Sequence, residues 1–479
     1  MVVIGGGMSV LLVEKDDFAS GTSSRSSKLV HGGLRYLETY QFRMVAESLR
    51  ERERMLVMAP HLTEVRPFFY MLYEGYPESR FLLSLGLTFY DVASGEWRKR
   101  RHSMLSAEQV LQREPHLRAQ GLLGAGQYFD VLTDDARLTI DTAKAAAEAG
   151  AVLANHAEVV GMLLDGGRAG GVRIADRTTG EVVDVRARQV LNATGPWTEH
   201  TRSLEEGGGA PRRMRPTKGV HIVLRKSDFP LDTAVFLRSP DDNRVVWPIP
   251  SLEDDLLYIG TTDTDHGGDP DDVHPDPADI RYLLNVANHT IPDARLDESH
   301  IVGSWAGLRP LVAPAPGTST SNTSREHSIT TGPSGMLTIS GGKLTGSRLM
   351  ARQFVDAAER RLQRRRTRST AGSTVISGGR VDRFDGIREQ AELAGVPGGL
   401  VEGWLRRYGA NAERVLEEWT ASPDASEVIG PRSLTRAEVR YCVAEEECLG
   451  LTDLMVRRTS LFFWDPAGGL TPQNLAVDE

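Results

Sequence analysis

The chain has 479 residues, with 56 basic and 65 acidic side chains and a formal charge of −9. That length suits two to four domains of roughly 100–200 residues each. The mild acidity argues against a nucleic-acid binder, and no run reaches the ~20 apolar residues of a membrane span. Its two cysteines, Cys442 and Cys448, exclude a disulfide scaffold, and their spacing is not a zinc pattern. Because Met1–Val13 lacks the features of a secretory signal, we expect a cytoplasmic protein, most simply an enzyme.

The first predicted element is a strand, Val2–Ile4, that runs into three glycines, and a second apolar run, Val10–Val13, ends at Glu14. This order of a strand, a glycine turn, a second strand and an acid is typical of a dinucleotide-binding βαβ unit. In such a unit, glycine N–H groups bind a pyrophosphate and the acid accepts a hydrogen bond from a ribose. Here Glu14 follows Gly5 after nine residue steps, whereas the pattern places ~20 residues between the loop and the acid. The helix of the unit is therefore predicted to be missing.

Periodicity predicts helices over Tyr40–Met58 and Ile140–Gly150. A buried strand is expected over Gln189–Ala193 and another over Leu337–Ser340. Residues 217–305 carry short strands between Asp-, Gly- and Pro-rich turns, which predicts an antiparallel sheet distinct from the nucleotide-binding unit. The other predicted strands are Val152–Val160, Val172–Ile174, Val182–Val185, His221–Leu224, Ala234–Leu237, Val245–Pro248 and Leu256–Ile259.

The last part of the chain changes character after a predicted helix over Ser347–Leu362. The basic stretch Arg361–Arg368 is either a solvated helix end and linker or a membrane-surface patch. Beyond it, helical patterns predict a helical C-terminal domain over residues 372–479. Its predicted helices are Ile387–Leu393, Leu400–Tyr408, Ala412–Trp419 and Arg436–Glu445.

One segment, residues 21–38, concentrates five Ser or Thr hydroxyls, three glycines, a histidine and three cations. Backbone and hydroxyl donors suit a phosphate or the edge of a flavin ring, and arginine suits a bidentate phosphate contact. Small-residue turns also end predicted strands at residues 192–195, 260–264, 307–311 and 340–345. The last of these turns leads to a helix N-terminus and includes Lys343, which together favour an anion.

These segments resemble the FAD-dependent glycerol-3-phosphate dehydrogenases of bacterial respiration, and the resemblance covers essentially the whole chain. HGGLRYLE is a specific motif, whereas NATGPW is shared with flavin oxidases of amines and amino acids. The matching segments are TSSRSSKLVHGGLRYLE, DDARL, NATGPW, KGVHIV, IGTTDTD, GLRPL, SREH, GGKLT, RYCVAEEE and DLMVRRTSLFF.

The resemblance implies a fold that is α/β plus α+β. A discontinuous, Rossmann-like FAD-binding domain of the glutathione-reductase and D-amino-acid-oxidase type would span residues 1–371. An inserted antiparallel substrate domain would comprise cap segments around residues 62–130 and 217–305. The implied reaction is oxidation of sn-glycerol 3-phosphate to dihydroxyacetone phosphate, with electrons passed to a membrane quinone. The enzyme would be peripheral on the inner face of the cell membrane, and a homodimer is a further expectation.

The resemblance also implies roles for individual residues. Arg309 and Lys343 are expected near the reacting carbinol, and because a guanidinium pKa above ~12 makes a poor base, Arg309 is expected to polarise or relay a proton. His31 and His221 remain alternative bases. The expected substrate contacts are Arg35, Tyr36, Thr262, Asp263 and Arg325. The expected FAD contacts are Gly5, Gly6, Gly7, Glu14, Thr22, Ser23, Ser24, Ser27, Ala193, Thr194, Gly195, Gly342, Leu344 and Thr345.

Two other functions stay open at this point. An oxidase of the same fold would pass electrons to oxygen, and no residue separates it from the dehydrogenase. Alternatively, the chain is a non-catalytic remnant that does not hold FAD because its N-terminal helix is missing. The shortened segment itself has three explanations, which are an error in the sequence, an internal deletion, or a reduced binding geometry.

Overall fold

The computed structural model describes residues 8–96, 98–205, 214–252, 255–311 and 327–469. Within them, the strands are, in chain order, β1 (Leu11–Val13), β2 (Leu29–Val30), β3 (Thr63–Tyr73), β4 (Ser103–Ser106), β5 (Leu122–Thr133), β6 (Val152–Ala154), β7 (Ala157–Asp165), β8 (Arg168–Asp176), β9 (Val182–Arg186), β10 (Leu191–Asn192), β11 (Thr217–Arg225), β12 (Ala234–Arg238), β13 (Val245–Pro250), β14 (Leu256–Gly260), β15 (Thr264–Asp265), β16 (Ile301–Arg309), β17 (Ser328–Thr331) and β18 (Leu337–Ser340).

The α-helices of the same ranges are α1 (Phe42–Met58), α2 (Arg80–Ser94), α3 (Ala107–Arg113), α4 (Asp135–Glu148), α5 (Thr198–Ser203), α6 (Pro277–Thr290), α7 (Ser347–Arg361), α8 (Phe384–Leu393), α9 (Gly398–Tyr408), α10 (Ala412–Ala421), α11 (Arg436–Glu445) and α12 (Leu461–Trp464). A π-helical turn covers Asp453–Arg458. In the part of the chain that the structure describes, no helix is both long enough and apolar enough to cross a membrane.

Among the described residues, the layer that the sequence predicts to bind a dinucleotide contains two small sheets. β1 pairs in parallel with β6, and β10 pairs in parallel with β18, which continues to β17 in antiparallel. In a doubly wound sheet the strand order is 3-2-1-4-5, so strand 1 of the motif separates the pair 2-3 from the pair 4-5. The predicted first strand, Val2–Ile4, lies outside the described residues. Residues 8–10 lead directly into β1 without a helix, which confirms the prediction that the βαβ unit is shortened.

A ten-stranded sheet forms the cap. Its main path runs β15-β11-β14-β13-β12-β3-β5-β2, with β16 beside β11 and β4 beside β5. Residues 63–133 and 217–309 therefore share one sheet, and because β12 pairs with β3 in parallel, the sheet is mixed. The predicted antiparallel cap is confirmed apart from this one parallel pair. Apolar side chains of β11 and of α6, such as Ile222 and Leu283, pack in the same core.

Two strand predictions need correction. The run Val152–Val160 is divided into β6 and β7, because His156 between them adopts a left-handed backbone with φ +50. The predicted strand Gln189–Ala193 contains only the two paired residues of β10. The hairpin of β8 and β9 is confirmed. The C-terminal helical domain is also confirmed, with Trp404 and Tyr441 buried in its core.

Candidate functional site

One large cavity lies where the turns at several strand ends meet. Its volume is about 2150 Å³, which exceeds the ~300–1,000 Å³ of an ordinary small-molecule pocket. The predicted site residues on its wall are Glu14, Thr22, Ser23, Ser27, His31, Arg35, Tyr36, Ala193, Thr194, Gly195, His221, Asp263, Arg309, Gly342, Lys343, Leu344 and Thr345. The structure therefore brings together segments that are more than 300 residues apart in the chain.

Two predicted residues are buried and are not part of this wall, namely Ser24 and Thr262. Thr262 Oγ1 instead accepts a hydrogen bond from the backbone N–H of Val220 at 3.0 Å, which fixes the turn after β14. Other assignments stay predictions because the residues lie outside the described ranges. These residues are Gly5, Gly6, Gly7 and Arg325.

Glu14 lies at the end of β1, where its backbone N–H donates to the carbonyl of Ala154 at 3.0 Å. Its carboxylate accepts a hydrogen bond from the backbone N–H of Asp16 at 3.3 Å. Burial raises the pKa of the Glu14 carboxyl, although the Asp16 hydrogen bond opposes that shift. A ribose hydroxyl that donates to this carboxylate would restore the hydrogen bonding that burial removes.

The turn after β18 approaches the segment 21–38 closely. Gly341 and Gly342 adopt φ values of +78 and +86, and a Cβ at Gly342 would overlap Met350 Sδ. Thr345 Oγ1 accepts from the backbone N–H of His31 at 3.1 Å and donates to its carbonyl at 3.2 Å. These paired bonds hold the glycine turn against His31, and Gly341 and Gly342 both lie on the cavity wall.

Lys343 lies over the ring of Tyr36, with Nζ 3.7 Å from the ring centroid. The ammonium also contacts Met44 Sδ at 3.6 Å. Gly33, with φ +74, places Tyr36 in this position, since a Cβ at Gly33 would lie 2.6 Å from Tyr36 Cδ2. The cation–π contact therefore orients a positive charge on the cavity wall.

Arg309, the last residue of β16, is held by three contacts to the turn after β14. Its guanidinium donates to Asp263 Oδ1 at 3.1 Å, to Thr261 Oγ1 at 3.1 Å and to the Thr262 carbonyl at 3.2 Å. A Cβ at Gly219 would lie 2.8 Å from Arg309 Nη2, so the glycine leaves the space that the guanidinium occupies. Arg309 is thus a fixed cation with a defined direction.

His221 is a buried residue of the cavity wall. Its Nε2 lies 3.0 Å from Ser27 Oγ, and its ring stacks on Trp305 at 4.9 Å between centroids. Burial, together with the charges of Arg309 and Lys28, lowers the pKa of His221 to about 3. The imidazole is therefore neutral at physiological pH and far less basic than an exposed histidine. This geometry favours His221 as a positioning partner of Ser27.

Three contacts that sequence reasoning did not assign hold the backbone beside Ser27. The indole N–H of Trp305 donates to the Ser26 carbonyl at 3.2 Å, and the Tyr258 hydroxyl donates to the Ser27 carbonyl at 3.1 Å. Asp135 accepts from the backbone N–H of Ser26 at 2.9 Å. The DDARL motif marked Asp135 in the sequence, but nothing in its spacing indicated which loop it would hold.

The same carboxylate forms a buried ion pair with Lys28, in which Nζ lies 2.6 Å from Asp135 Oδ1. The Lys28 ammonium lies 5.5 Å from a Trp305 ring centroid and 5.9 Å from a Trp464 ring centroid. Trp464 belongs to α12, so the C-terminal domain forms part of the support behind the cavity wall.

Comparisons with known proteins agree with this arrangement. The family model described as "FAD dependent oxidoreductase" matches residues 4–348, and the model described as "C-terminal domain of alpha-glycerophosphate oxidase" matches residues 366–477. The aerobic glycerol-3-phosphate dehydrogenase of Bacillus subtilis (strain 168) is 37% identical, covering 98% of this chain and 86% of that protein. The corresponding protein of Staphylococcus saprophyticus is 36% identical, with 96% and 83% covered.

Among solved structures, the glycerol-3-phosphate dehydrogenase from Bacillus halodurans complexed with FAD superimposes with a TM-score of 0.79 at 32% identity. The match covers 96% of this chain and 82% of that one. The chain belongs to the FAD-dependent glycerol-3-phosphate dehydrogenase family. A more distant match, the L-alpha-glycerophosphate oxidase from Mycoplasma pneumoniae, has a TM-score of 0.55 at 17% identity and supports the fold alone.

FAD is the cofactor of this dehydrogenase family, and most of the described wall fits it. The cavity is large enough for FAD, and its wall includes Glu14, whose partly buried carboxylate suits the ribose end of FAD, and the turn at Gly341–Gly342, which suits the flavin end. The diphosphate between these two ends ordinarily lies at the N-terminus of the first helix, which this chain lacks between Met8 and β1.

Proposed function

We propose that this chain oxidises sn-glycerol 3-phosphate to dihydroxyacetone phosphate with bound FAD and passes the electrons to a membrane quinone. The observation that carries the proposal is that three cations of the recognised motifs, Arg35, Arg309 and Lys343, line one cavity, where Arg309 is held by Asp263 and Lys343 by the Tyr36 ring. A phosphate monoester requires such a set of cationic donors. The names of the relatives supply the same substrate.

In this proposal, Arg35 binds the phosphate, and Lys343 lies near the reacting carbinol, where the Tyr36 ring holds its ammonium in place. Arg309 is already oriented by Asp263 and by the turn after β14. It is therefore suited to polarise the C2 hydroxyl, since its position does not have to be established when the substrate binds. Bound FAD would supply the acceptor for the hydride at C2 of the substrate.

The chain itself must accept the proton of the C2 hydroxyl. His221 is poorly suited to this role, because its pKa is lowered to about 3 and its Nε2 contacts Ser27 Oγ. His31 lies on the cavity wall, where its ring makes an edge-on contact with Trp247 at 5.5 Å between centroids. We propose that His31 accepts this proton as the general base and that Arg309 lowers the free energy of the developing alkoxide.

The proposed quinone acceptor requires contact with a membrane, and one surface supports this. The α1–α2 patch, defined as Tyr40, Phe42, Phe81, Leu82 and Leu85, exposes 46–80% of each of these side chains. The patch is continuous, since the Phe42 ring contacts Phe89 of α2 at 5.2 Å. The exposed Arg43 directly follows Phe42 of the patch, which favours an anionic lipid surface.

Membrane contact can be tested by sedimentation with vesicles that contain anionic lipid. We expect the wild-type chain to sediment with the vesicles and the Phe81→Ser, Leu85→Ser double variant to remain in the supernatant. Val160→Ser, an exposed apolar residue of β7 outside the patch, is the control. Equal sedimentation of all three proteins would refute this assignment.

The activity is tested first by the visible absorbance spectrum of the purified chain. A flavin spectrum at near-stoichiometric FAD, bleached by glycerol 3-phosphate, is the expected result. Reoxidation by a soluble quinone analogue without peroxide supports the dehydrogenase, whereas stoichiometric peroxide in air supports an oxidase. A folded but colourless chain that stays colourless with excess FAD would refute catalysis and identify the chain as a non-catalytic remnant.

A further inference from the structure

Arg25 is a cation on the cavity wall that none of the roles above uses. It follows a short 3₁₀ turn, Thr22–Ser24, and its backbone N–H donates to the Thr22 carbonyl at 3.1 Å. A Cβ at Gly307 would lie 2.7 Å from the Arg25 carbonyl oxygen, which shows how closely β16 packs on this residue. The backbone that carries the Arg25 side chain is therefore held in a fixed position.

The Arg25 guanidinium has no carboxylate within ion-pair distance in the described ranges. The two nearest acids in sequence are engaged elsewhere, with Asp16 paired to Arg177 and Asp17 paired to both Arg457 and Arg458. Burial and the charge of Arg457 lower the pKa of Arg25, while Asp16 opposes that shift. A guanidinium remains protonated in proteins, so a partly buried positive charge lacks a counter-ion at the cavity wall.

Other arginines on the same wall differ from Arg25 in one respect. Arg188, Arg352 and Arg368 are exposed, so water screens their charges and no ligand is needed to compensate them. Arg25 is only partly exposed and is next to a second cation, Arg457. The site is therefore selective for an anion.

Arg25 also lies on the segment that connects the two ends of the cofactor site. Glu14 precedes this segment, and His31, which is bonded to Thr345 of the glycine turn, follows it. The part of FAD between its ribose and flavin ends is the diphosphate. We propose that Arg25 binds this diphosphate and supplies the positive charge that the missing helix N-terminus would otherwise provide. This inference rests on the proposed binding of FAD.

The test compares three ligands on the full-length chain after removal of flavin. FAD contains both flavin and diphosphate, ADP contains the diphosphate alone, and riboflavin contains no phosphate. We expect Arg25→Gln to weaken FAD and ADP by about ten- to a hundredfold, the effect of losing a charged hydrogen bond, and to leave riboflavin affinity unchanged. Arg25→Lys should recover part of the lost affinity. Arg281→Gln, an exposed residue of α6, is the matched control.

Each outcome distinguishes this inference from the proposed function. Unchanged FAD and ADP affinities in Arg25→Gln would overturn the inference while leaving the flavoenzyme intact. An equal loss for riboflavin would also overturn it, because the residue would then act only on the fold. A wild-type chain that binds neither FAD nor ADP would overturn both proposals.

Discussion

The Asp17→Asn substitution tests whether the C-terminal domain stabilises the loop that follows Glu14. Asp17 is fully buried, and its carboxylate accepts from Arg458 Nη1 at 2.6 Å and from Arg458 Nη2 at 2.9 Å. It also accepts from Arg457 Nε and from Asn155 Nδ2. Breaking a buried ion pair by removing one partner costs about 3–5 kcal/mol. Arg457 keeps Asp453 and Arg458 keeps Glu446 as partners, so we expect a loss near the lower end of that range.

The neighbouring Asp16 provides a matched control. Its ion pair with Arg177 is exposed, with 38% and 45% of the two side chains accessible to solvent. An exposed pair contributes about 1 kcal/mol or less. The two variants therefore remove the same charge one residue apart, and the expected difference between them comes from the burial of Asp17.

Urea unfolding of the full-length chain, followed by circular dichroism, measures both effects. We expect the unfolding midpoint of Asp17→Asn to fall much further than that of Asp16→Asn, at an unchanged slope. Burial alone would raise the pKa of Asp17, but hydrogen bonds and charge from Arg458 and Arg457 lower it overall. The stabilisation is therefore complete at neutral pH and is lost as pH falls through that lowered pKa, below about 3.8. A loss of less than about 1 kcal/mol in Asp17→Asn at pH 7 would refute the reasoning.

Three further predictions concern the site itself. Because the pKa of His221 is lowered to about 3, the imidazole binds a proton below pH 6.5 in the unfolded chain but not in the folded one. The free energy of unfolding should therefore fall by about 2.5 kcal/mol between pH 7 and pH 4.5. His221→Gln should reduce that pH dependence in urea unfolding, and an unchanged dependence would contradict the assignment. Arg309→Ala should lower kcat at least a hundredfold with flavin content retained, as steady-state kinetics and absorbance would show; normal turnover would remove Arg309 from the reaction. Gly342→Ala should lower the flavin content of the purified protein, because φ is +86 there and the new Cβ would overlap Met350, whereas an unchanged flavin-to-protein absorbance ratio would show that the turn tolerates a side chain.

Local patterns in the sequence predict much of this fold. The residue spacing after Gly5 predicts the shortened βαβ unit, and alanine-rich periodicity predicts α4, because both depend on residues close together in the chain. The length of the apolar run predicts one strand over Val152–Val160, but the left-handed backbone of His156 divides it into two. Motif resemblance places most candidate residues on one cavity, but it does not show that His221 is buried.

The contribution of the C-terminal domain is the part that local patterns do not reveal. The pairing of Asp17 with Arg458 joins residues 441 positions apart, and no periodicity connects them. Arg137 of α4 likewise donates to Glu446 at 2.6 Å, so a second buried charge pair holds the same two domains together. Buried charges are costly unless they are paired, and these pairs form only when both domains are folded against each other. The helical domain therefore stabilises the loop after Glu14 from outside the cavity, and a cofactor site with no helix between Met8 and β1 depends all the more on that support.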